Sequence, residues 1–427
     1  MATPAAPSTA TKTAPSTGPA PGAASLERSA SIPAARVVLL GLVAVSIMAP
    51  VTLPVPVLRK LVAERFLVSE LLTSLFMVVN MIGAALAAPV AGALADRFGR
   101  RRPLVVGALL VDALCFLAMT AELPFPLFLS IRFFEGCAHI FALSLLLSVA
   151  SSLGGSERRG LVMGMTGAGM MLGVALGAPI GGLLGRTDVL RPLFAGAGLL
   201  VVAAGLAAAS LREPEEVEER PGLAAIAATL HENRSLAVPL LFSFIDRFTV
   251  GFYTTTFSLF ASGLHGATPP QVGLWISAFM LPFALLSFPF GLLADRRSKT
   301  LLLCSGSLVY GLFTASLGFW PTPFIPFGMA ATGVAAAVMF VPSMLMTAEL
   351  APPAVRSTAL GAFNTAGSLG FILGPLTGGL VSEHVRGAYG PAAGYQAAFA
   401  VAGVSVLLLV AATLPSLLRL RRAGRTT

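Results

Sequence analysis

Ionisable side chains are scarce inside the apolar segments of this 427-residue chain, and the few present fall in two groups. Arg132, Glu135 and His139 stand at i, i+3 and i+7 of one segment, which places them on one helix face. Asp112 lies in the segment before it. A turn near residue 123 folds those segments into a hairpin and brings Asp112, Arg132 and Glu135 to similar depth. The second group is Asp246-Arg247, followed by Thr249 and Tyr253 and ringed by Phe244, Phe248, Phe252 and Phe257. Charge in an apolar setting is costly and marks a substrate path, a proton relay or a fixed ion pair. A carboxylate there can exchange a proton, an arginine can hold an anion, and a histidine can relay between them. If Asp112 takes Arg132, Glu135 is the free acid; if Arg132 takes Glu135, Asp112 is. Cys115, Cys137 and Cys304 are odd in number and widely spaced, which argues against a disulfide framework or a zinc site. No nucleotide-binding motif, metal cluster or Ser/His/Asp set is evident. The reading is therefore not an enzyme, with no cofactor and no metal.

The elements that hold these groups are membrane spans. Hydrophobic residues make up 56% of the chain and charged residues 11%, and the mean hydropathy is +0.86. A soluble domain carries about 25% charge, so lipid is the expected solvent. Twelve apolar segments are predicted, near 36–58, 71–94, 103–121, 125–150, 161–185, 191–211, 237–261, 271–294, 300–319, 324–349, 358–382 and 393–415. Each is long enough to cross a hydrocarbon core of about 30 Å as a helix, and helix is required because no water satisfies backbone groups there. Pro50, Pro54 and Pro56 predict a break or bend in the outer half of the first span. Residues 1–33, rich in Ala, Pro, Ser and Thr, read as a disordered cytoplasmic tail. Residues 212–236 read as a cytoplasmic linker that opens acidic and continues as a short surface helix, and 416–427 as a basic tail. With both termini inside, twenty of the 28 Lys and Arg fall on the inner side and six in outer loops. That asymmetry predicts a multi-pass protein of the cytoplasmic membrane. It also accounts for the net charge of +9 without a nucleic-acid partner.

The chain repeats itself. Gly164, Gly173, Gly177, Gly181 and Gly182 recur as Gly361, Gly370, Gly374, Gly378 and Gly379, all at an offset of 197. Gly92-Ala-Leu-Ala-Asp96-Arg97 recurs as Gly291-Leu-Leu-Ala-Asp295-Arg296, at an offset of 199. A half-chain repeat predicts two parallel six-helix bundles, 34–211 and 237–415, with a path between them. Glycine faces allow close helix packing, and Pro179 and Pro375 within them bend the helix.

The stretch Gly92-Ala-Leu-Ala-Asp96-Arg97-Phe-Gly99-Arg100-Arg101 closely resembles the loop signature of the major facilitator superfamily. The resemblance covers roughly residues 36–415. It implies an all-α membrane protein of twelve helices in two parallel repeats, working by alternating access, with monomer as the family default. It implies that Gly92, Asp96, Arg97, Gly99 and Arg100 form a cytoplasmic latch in the outward-open state, with Asp295, Arg296 and Glu349 as a second one. Ser151-Ser152 stand where the family often has an acid; in the second half Glu349 supplies one, expected to pair with Arg296 or Arg297. Arg132-x-x-x-Gly136 resembles a signature of proton-coupled members. The glycine pattern, complete with Pro375 in the second copy, resembles that of the drug:proton antiporter branch. Spans 4 and 7 line the cavity in this family and span 3 is usually peripheral, so the resemblance puts Arg132, Glu135, His139, Asp246, Arg247 and Tyr253 on the substrate and proton pathway and favours Glu135 as carrier, with Asp112, at similar depth, as the alternative. The resulting expectation is proton-coupled efflux of small amphipathic molecules, with protons or another ion and the lipid bilayer as partners. Import of a sugar, carboxylate or lipid is the alternative, and a non-transporting receptor or scaffold the reading from another class.

Overall fold

In the computed structural model the described residues are 34–98, 100–152, 155–211, 228, 231–352 and 355–422. The predicted tail 1–33, Gly99, most of the linker and the last five residues lie outside them. Thirteen helices make up the bundle among the described residues. The first half contains α1 (Ala34–Thr52), α2 (Glu70–Phe98), α3 (Arg101–Ala118), α4 (Phe125–Ser152), α5 (Gly155–Leu184) and α6 (Arg191–Ser210). The second contains α7 (Ala237–Thr254), α8 (Thr256–Gly263), α9 (Pro269–Arg296), α10 (Lys299–Ser316), α11 (Ile325–Leu350), α12 (Arg356–Tyr389) and α13 (Pro391–Arg422). The seventh span is thus α7 and α8 with a break at Thr255, amid three consecutive threonines. The first span is interrupted as its prolines predict: α1 ends at Thr52 and gives way to short 3-10 and π-helical turns over 55–64.

Eleven of the described spans are long and apolar enough to cross a membrane. The twelfth predicted span is α3, which is only 18 residues long and carries Arg101, Arg102 and Asp112. It packs between α4 and α6 like the rest of its bundle. Three charges in a short helix, rather than exposure, set it apart, since both Arg101 and Asp112 are buried.

The repeat read from glycine spacing is visible in the packing. In the first half α1 lies on α5, α2 on α4 and α3 on α6; in the second, α7 lies on α12, α9 on α11 and α10 on α13. Two pairs cross between halves, α5 with α9 and α2 with α12, and they too are repeat equivalents. Each half has its own large apolar cluster. The conserved-spacing glycines explain the closest pairs. A Cβ on Gly177 or Gly181 would strike the carbonyl of Ala49 in α1 or of Leu53 just past its end, and one on Gly370 or Gly374 would strike those of Phe244 or Phe248 in α7. Pro375 sits against Gly251, at 2.5 Å from where its Cβ would be, and Pro179 against Gly273 of α9. Gly173 similarly approaches Val45. Gly164 departs from the packing expectation: a Cβ there would meet nothing within 4 Å. Gly361 is half-buried, and its carbonyl accepts the Thr365 hydroxyl at 3.0 Å.

At the end of the bundle bearing residues 53–69, the seam between halves is closed. Ser258 Oγ donates to the Val55 carbonyl at 2.5 Å, and Ser277 Oγ to that of Ala175 at 3.0 Å. Glu383 of α12 accepts the Leu71 N–H at 2.9 Å, capping the first turn of α2 from the other half. Glu70 accepts hydrogen bonds from Arg386 and from the Tyr395 hydroxyl. Toward the opposite end of α5, both Gly164 and Gly167 face open space.

Candidate functional site

In the first half the charged residues form one enclosed cluster among α2, α3 and α4. Gly136 and Gly83 let α2 and α4 cross closely: a Cβ on Gly136 would strike the Asn80 carbonyl, and one on Gly83 that of Phe133. That crossing carries Phe76 and Asn80 onto the charges. Arg132 Nη1 donates to Glu135 Oε2 at 2.6 Å, its Nε to the Phe76 carbonyl at 3.2 Å, and its guanidinium lies 4.2 Å from the centre of the Phe76 ring. Asn80 Nδ2 donates to the same Glu135 oxygen. Asp112 Oδ2 and His139 Nδ1 are 3.0 Å apart and share a hydrogen bond. The side chains of Arg132 and Glu135 are 1% and 2% exposed, and that of Asp112 is fully enclosed.

The geometry resolves the alternative left open by the sequence, against the preferred reading. Arg132 takes Glu135, and the acid without an arginine is Asp112, whose partner is His139. Helix periodicity explains this: Glu135 sits one turn from Arg132 on the same helix, whereas Asp112 must be brought from a neighbouring one. Asp112 Oδ1 and His139 Nε2 are buried without a partner among the described residues. Asn80 and Phe76 were missed by sequence reasoning. A lone Asn in an otherwise apolar run of α2 was the available signal.

Asp112, Glu135 and His139 each bring a potential ligand atom within 4.8 Å of the others. The chemistry of this set suits a proton better than a metal cation. Arg132 already occupies the carboxylate of Glu135 at 2.6 Å, and its positive charge opposes a second cation there.

The second half places its charges differently. Asp246 and Arg247, adjacent in sequence, pair directly, with Arg247 Nη1 donating to Asp246 Oδ2 at 2.7 Å. Adjacent residues on a helix point about 100° apart, and the length of the arginine side chain spans that difference. Asp246 is 1% exposed, whereas 23% of the Arg247 side chain is open. The Arg247 guanidinium lies 4.7 Å from the Phe340 ring of α11 and 5.7 Å from the Phe371 ring of α12. Tyr253, expected on the pathway, is instead buried in the core of its half: it stacks on Phe279 at 4.5 Å, and its hydroxyl meets that of Thr314 at 2.7 Å.

Of the expected latch, Gly92, Asp96 and Arg97 lie on α2 but their side chains, like those of Ser151 and Ser152, are outside the described residues. Arg100 is exposed, and its neighbour Arg101 is buried and donates to Ser148. In the second copy Asp295 and Arg296 are exposed. Glu349 does not pair with Arg296 or Arg297 as expected; it meets Lys299 at 3.2 Å, within the same half. The N-terminal turn of α10 points Lys299 at α11, while Arg296 and Arg297 end α9 facing solvent. The tie between halves that the sequence reading missed is at the other end, where Glu70, Arg386 and Tyr395 meet. Glu70 and Arg386 are 316 residues apart, and no pattern in the sequence joins them.

Comparison with known proteins agrees with this architecture. A family model described as Major Facilitator Superfamily matches residues 40–245 and 239–426. The chain belongs to the Major Facilitator Superfamily. Among curated members it is 25% identical over 322 residues to Multidrug resistance protein 2 of Bacillus subtilis, covering 71% of this chain and 78% of that one. It is also 25% identical over 359 residues to the 3-(3-hydroxy-phenyl)propionate transporter of Escherichia coli, covering 82% of this chain and 87% of that one. A solved structure of a bacterial homologue of the human lysosomal transporter Spinster, inward-facing and unoccupied, superposes with a TM-score of 0.76 at 15% identity, over 91% of this chain and 98% of that one. As a superfamily member the protein is a multi-pass transporter with a small-molecule substrate, not an enzyme.

Proposed function

We propose that this superfamily member exports small amphipathic molecules across the cytoplasmic membrane in exchange for protons, with both termini cytoplasmic, and that the Asp112–His139 pair carries the proton. The observation behind the carrier assignment is the pairing in α3 and α4. Arg132 and Glu135 cancel one another at 2.6 Å, so the cluster's remaining negative charge rests on Asp112. One proton taken up by His139 neutralises the cluster, and its loss restores the charge. A buried site that is charged in one state and neutral in the other has a stake in which side of the membrane it meets. The positive-inside asymmetry supports the orientation, and under it the closed end of the seam is the outer one. The relatives' names, a multidrug resistance protein and a 3-(3-hydroxy-phenyl)propionate transporter, support a small organic cargo.

The test is proton movement in proteoliposomes holding a pH-sensitive dye, challenged with tetraphenylphosphonium and with 3-phenylpropionate. Cargo-triggered proton flux is expected in the wild type and lost in Asp112→Asn. Flux that survives in Asp112→Asn and vanishes in Glu135→Gln would return the assignment to Glu135. Cargo movement with no proton signal would refute the coupling.

A further inference from the structure

In the second half, the charge that reaches open space is positive, and it stands at the end of an apolar strip. α7 is enclosed by α11, α12 and α13 of its own half. Its more open positions in the first three turns, Ala237, Leu241, Phe244 and Arg247, recur every three or four residues and form one stripe. Beyond Arg247 the helix is buried, with Gly251 packed on Pro375. A guanidinium does not face hydrocarbon at this depth, so the stripe faces the seam between the halves. Phe340 continues the stripe on α11.

From this arrangement we infer that Arg247 is the anchor for the carboxylate of an aromatic carboxylic acid, whose ring and chain lie along Phe340, Phe371 and Phe244. The inference rests on the transporter reading above and narrows its cargo. A guanidinium has five N–H donors in a planar fork. Among the described residues only Nη1 meets an acceptor, on Asp246, which leaves Nε and Nη2 free. Two rings lie within the range of cation–π attraction of the guanidinium, and 23% of the Arg247 side chain is open. An edge-on fork matches a carboxylate in bidentate geometry. Gly367 makes room for the stem, since a Cβ there would stand 3.0 Å from Arg247 Cγ. Asp246 is 1% exposed: its Oδ2 accepts from Arg247 and its Oδ1 is buried without a partner among the described residues, so the site presents no exposed anion to a cationic cargo. Asp112 and Glu135 of the first half are enclosed in their own bundle.

The experiment is equilibrium binding to the purified full-length chain in lipid nanodiscs, without any ion gradient. The probes are benzoate, 3-phenylpropionate and 4-phenylbutyrate, each beside its neutral amide, together with 3-phenylpropylammonium. At least one acid is expected to bind tenfold or more tightly than its amide and than the ammonium. Arg247→Gln made together with Asp246→Asn, so that no buried charge is stranded, should weaken the acid by roughly 10- to 100-fold, as for loss of a charge-assisted hydrogen bond of about 1.5–3 kcal/mol, and leave the amide unchanged. Arg247→Lys should recover part of the loss. Binding of none of the acids, parity between acid and amide, tighter binding of the ammonium, or acid binding unaltered in the double variant would each overturn the inference. Acid binding without proton flux would leave this site standing and remove the coupling. Flux driven by tetraphenylphosphonium with no acid binding would do the reverse.

Discussion

Arg132–Glu135 and Arg247–Asp246 are the buried arginine–carboxylate pairs of the two halves, and they differ in what surrounds the arginine. Arg132 is 1% exposed and spends its donors on Glu135, the Phe76 carbonyl and the Phe76 ring. Arg247 is 23% open and keeps part of its fork unengaged among the described residues. An arginine with every direction filled can only set the charge of its surroundings. One with a free edge on the seam can meet something that comes and goes. The same residue pair thus serves a charge-holding role in one half and a ligand-facing role in the other, and sequence alone gives no sign of the difference.

Removing each arginine separates the two cases most sharply. Arg132→Gln leaves Glu135 charged and enclosed, and breaking such a pair costs about 3–5 kcal/mol. Arg247→Gln should cost less, about 1–3 kcal/mol, because the new amide can still donate to Asp246 and the opening beside it admits water. Thermal unfolding in detergent checks the order. Equal losses would mean that the opening at Arg247 does not hydrate the pair.

The next effect concerns the two ends of the seam rather than its two sides. Glu70 gathers Arg386, Tyr395 and Ser382 at the closed end, and Glu383 caps α2 from across the seam. Glu70→Gln keeps the shape and removes the charge. With a charge-assisted hydrogen bond contributing about 1.5–3 kcal/mol, the balance should move roughly 10- to 100-fold toward states open at that end. Spin-label distances across the closed end, with and without the substitution, read this directly. An unchanged distance distribution would show that apolar packing alone keeps the seam shut.

How much of this was legible in the chain depends on the range of the interaction. The apolar spans, the half-chain repeat and the close crossings at Gly177 and Gly374 follow from period and composition, which are properties of single segments. The pairing of Arg132 with Glu135 was one of two options, and one-turn spacing on a single helix favours it. The contacts of Asn80, Glu70 and Arg386 were not legible, because they join residues 55 to 316 positions apart. Tyr253 was misplaced for a related reason: a tyrosine next to charges looks ready for a ligand until α9 and α10 are seen to enclose it.

Two glycines of the repeat make a smaller contrast within one helix. Gly181→Ala drives a Cβ into the Leu53 carbonyl, whereas Gly164→Ala meets nothing within 4 Å. Overpacking of the first kind costs about 1–3 kcal/mol, while alanine at an open helical site is worth about 0.4–1 kcal/mol of added stability. Opposite signs are therefore expected in the same unfolding assay. The contrast also reads the seam. If Gly164→Ala is harmless to stability yet slows transport, the open space around it closes during the cycle.

The smallest effect tests whether a charge pair near the open end matters to folding at all. Lys299 and Glu349 meet at 3.2 Å, but the Glu349 side chain is 44% exposed while Lys299 is buried. Solvent screens a pair of this kind, and exposed pairs contribute about 0–1 kcal/mol. Glu349→Gln should accordingly leave thermal stability within that range, far below the loss expected for Arg132→Gln. Its effect on transport has a different source. In the state captured here Glu349 is held by Lys299 within one half, and a latch that closes this end needs acids able to exchange partners across the seam. If Glu349 is one of them, Glu349→Gln lowers transport rate while binding of the cargo to the open state stays the same. If rate and binding are both unchanged, the Lys299–Glu349 pair is a local tie between α10 and α11, and closure at this end depends on other groups.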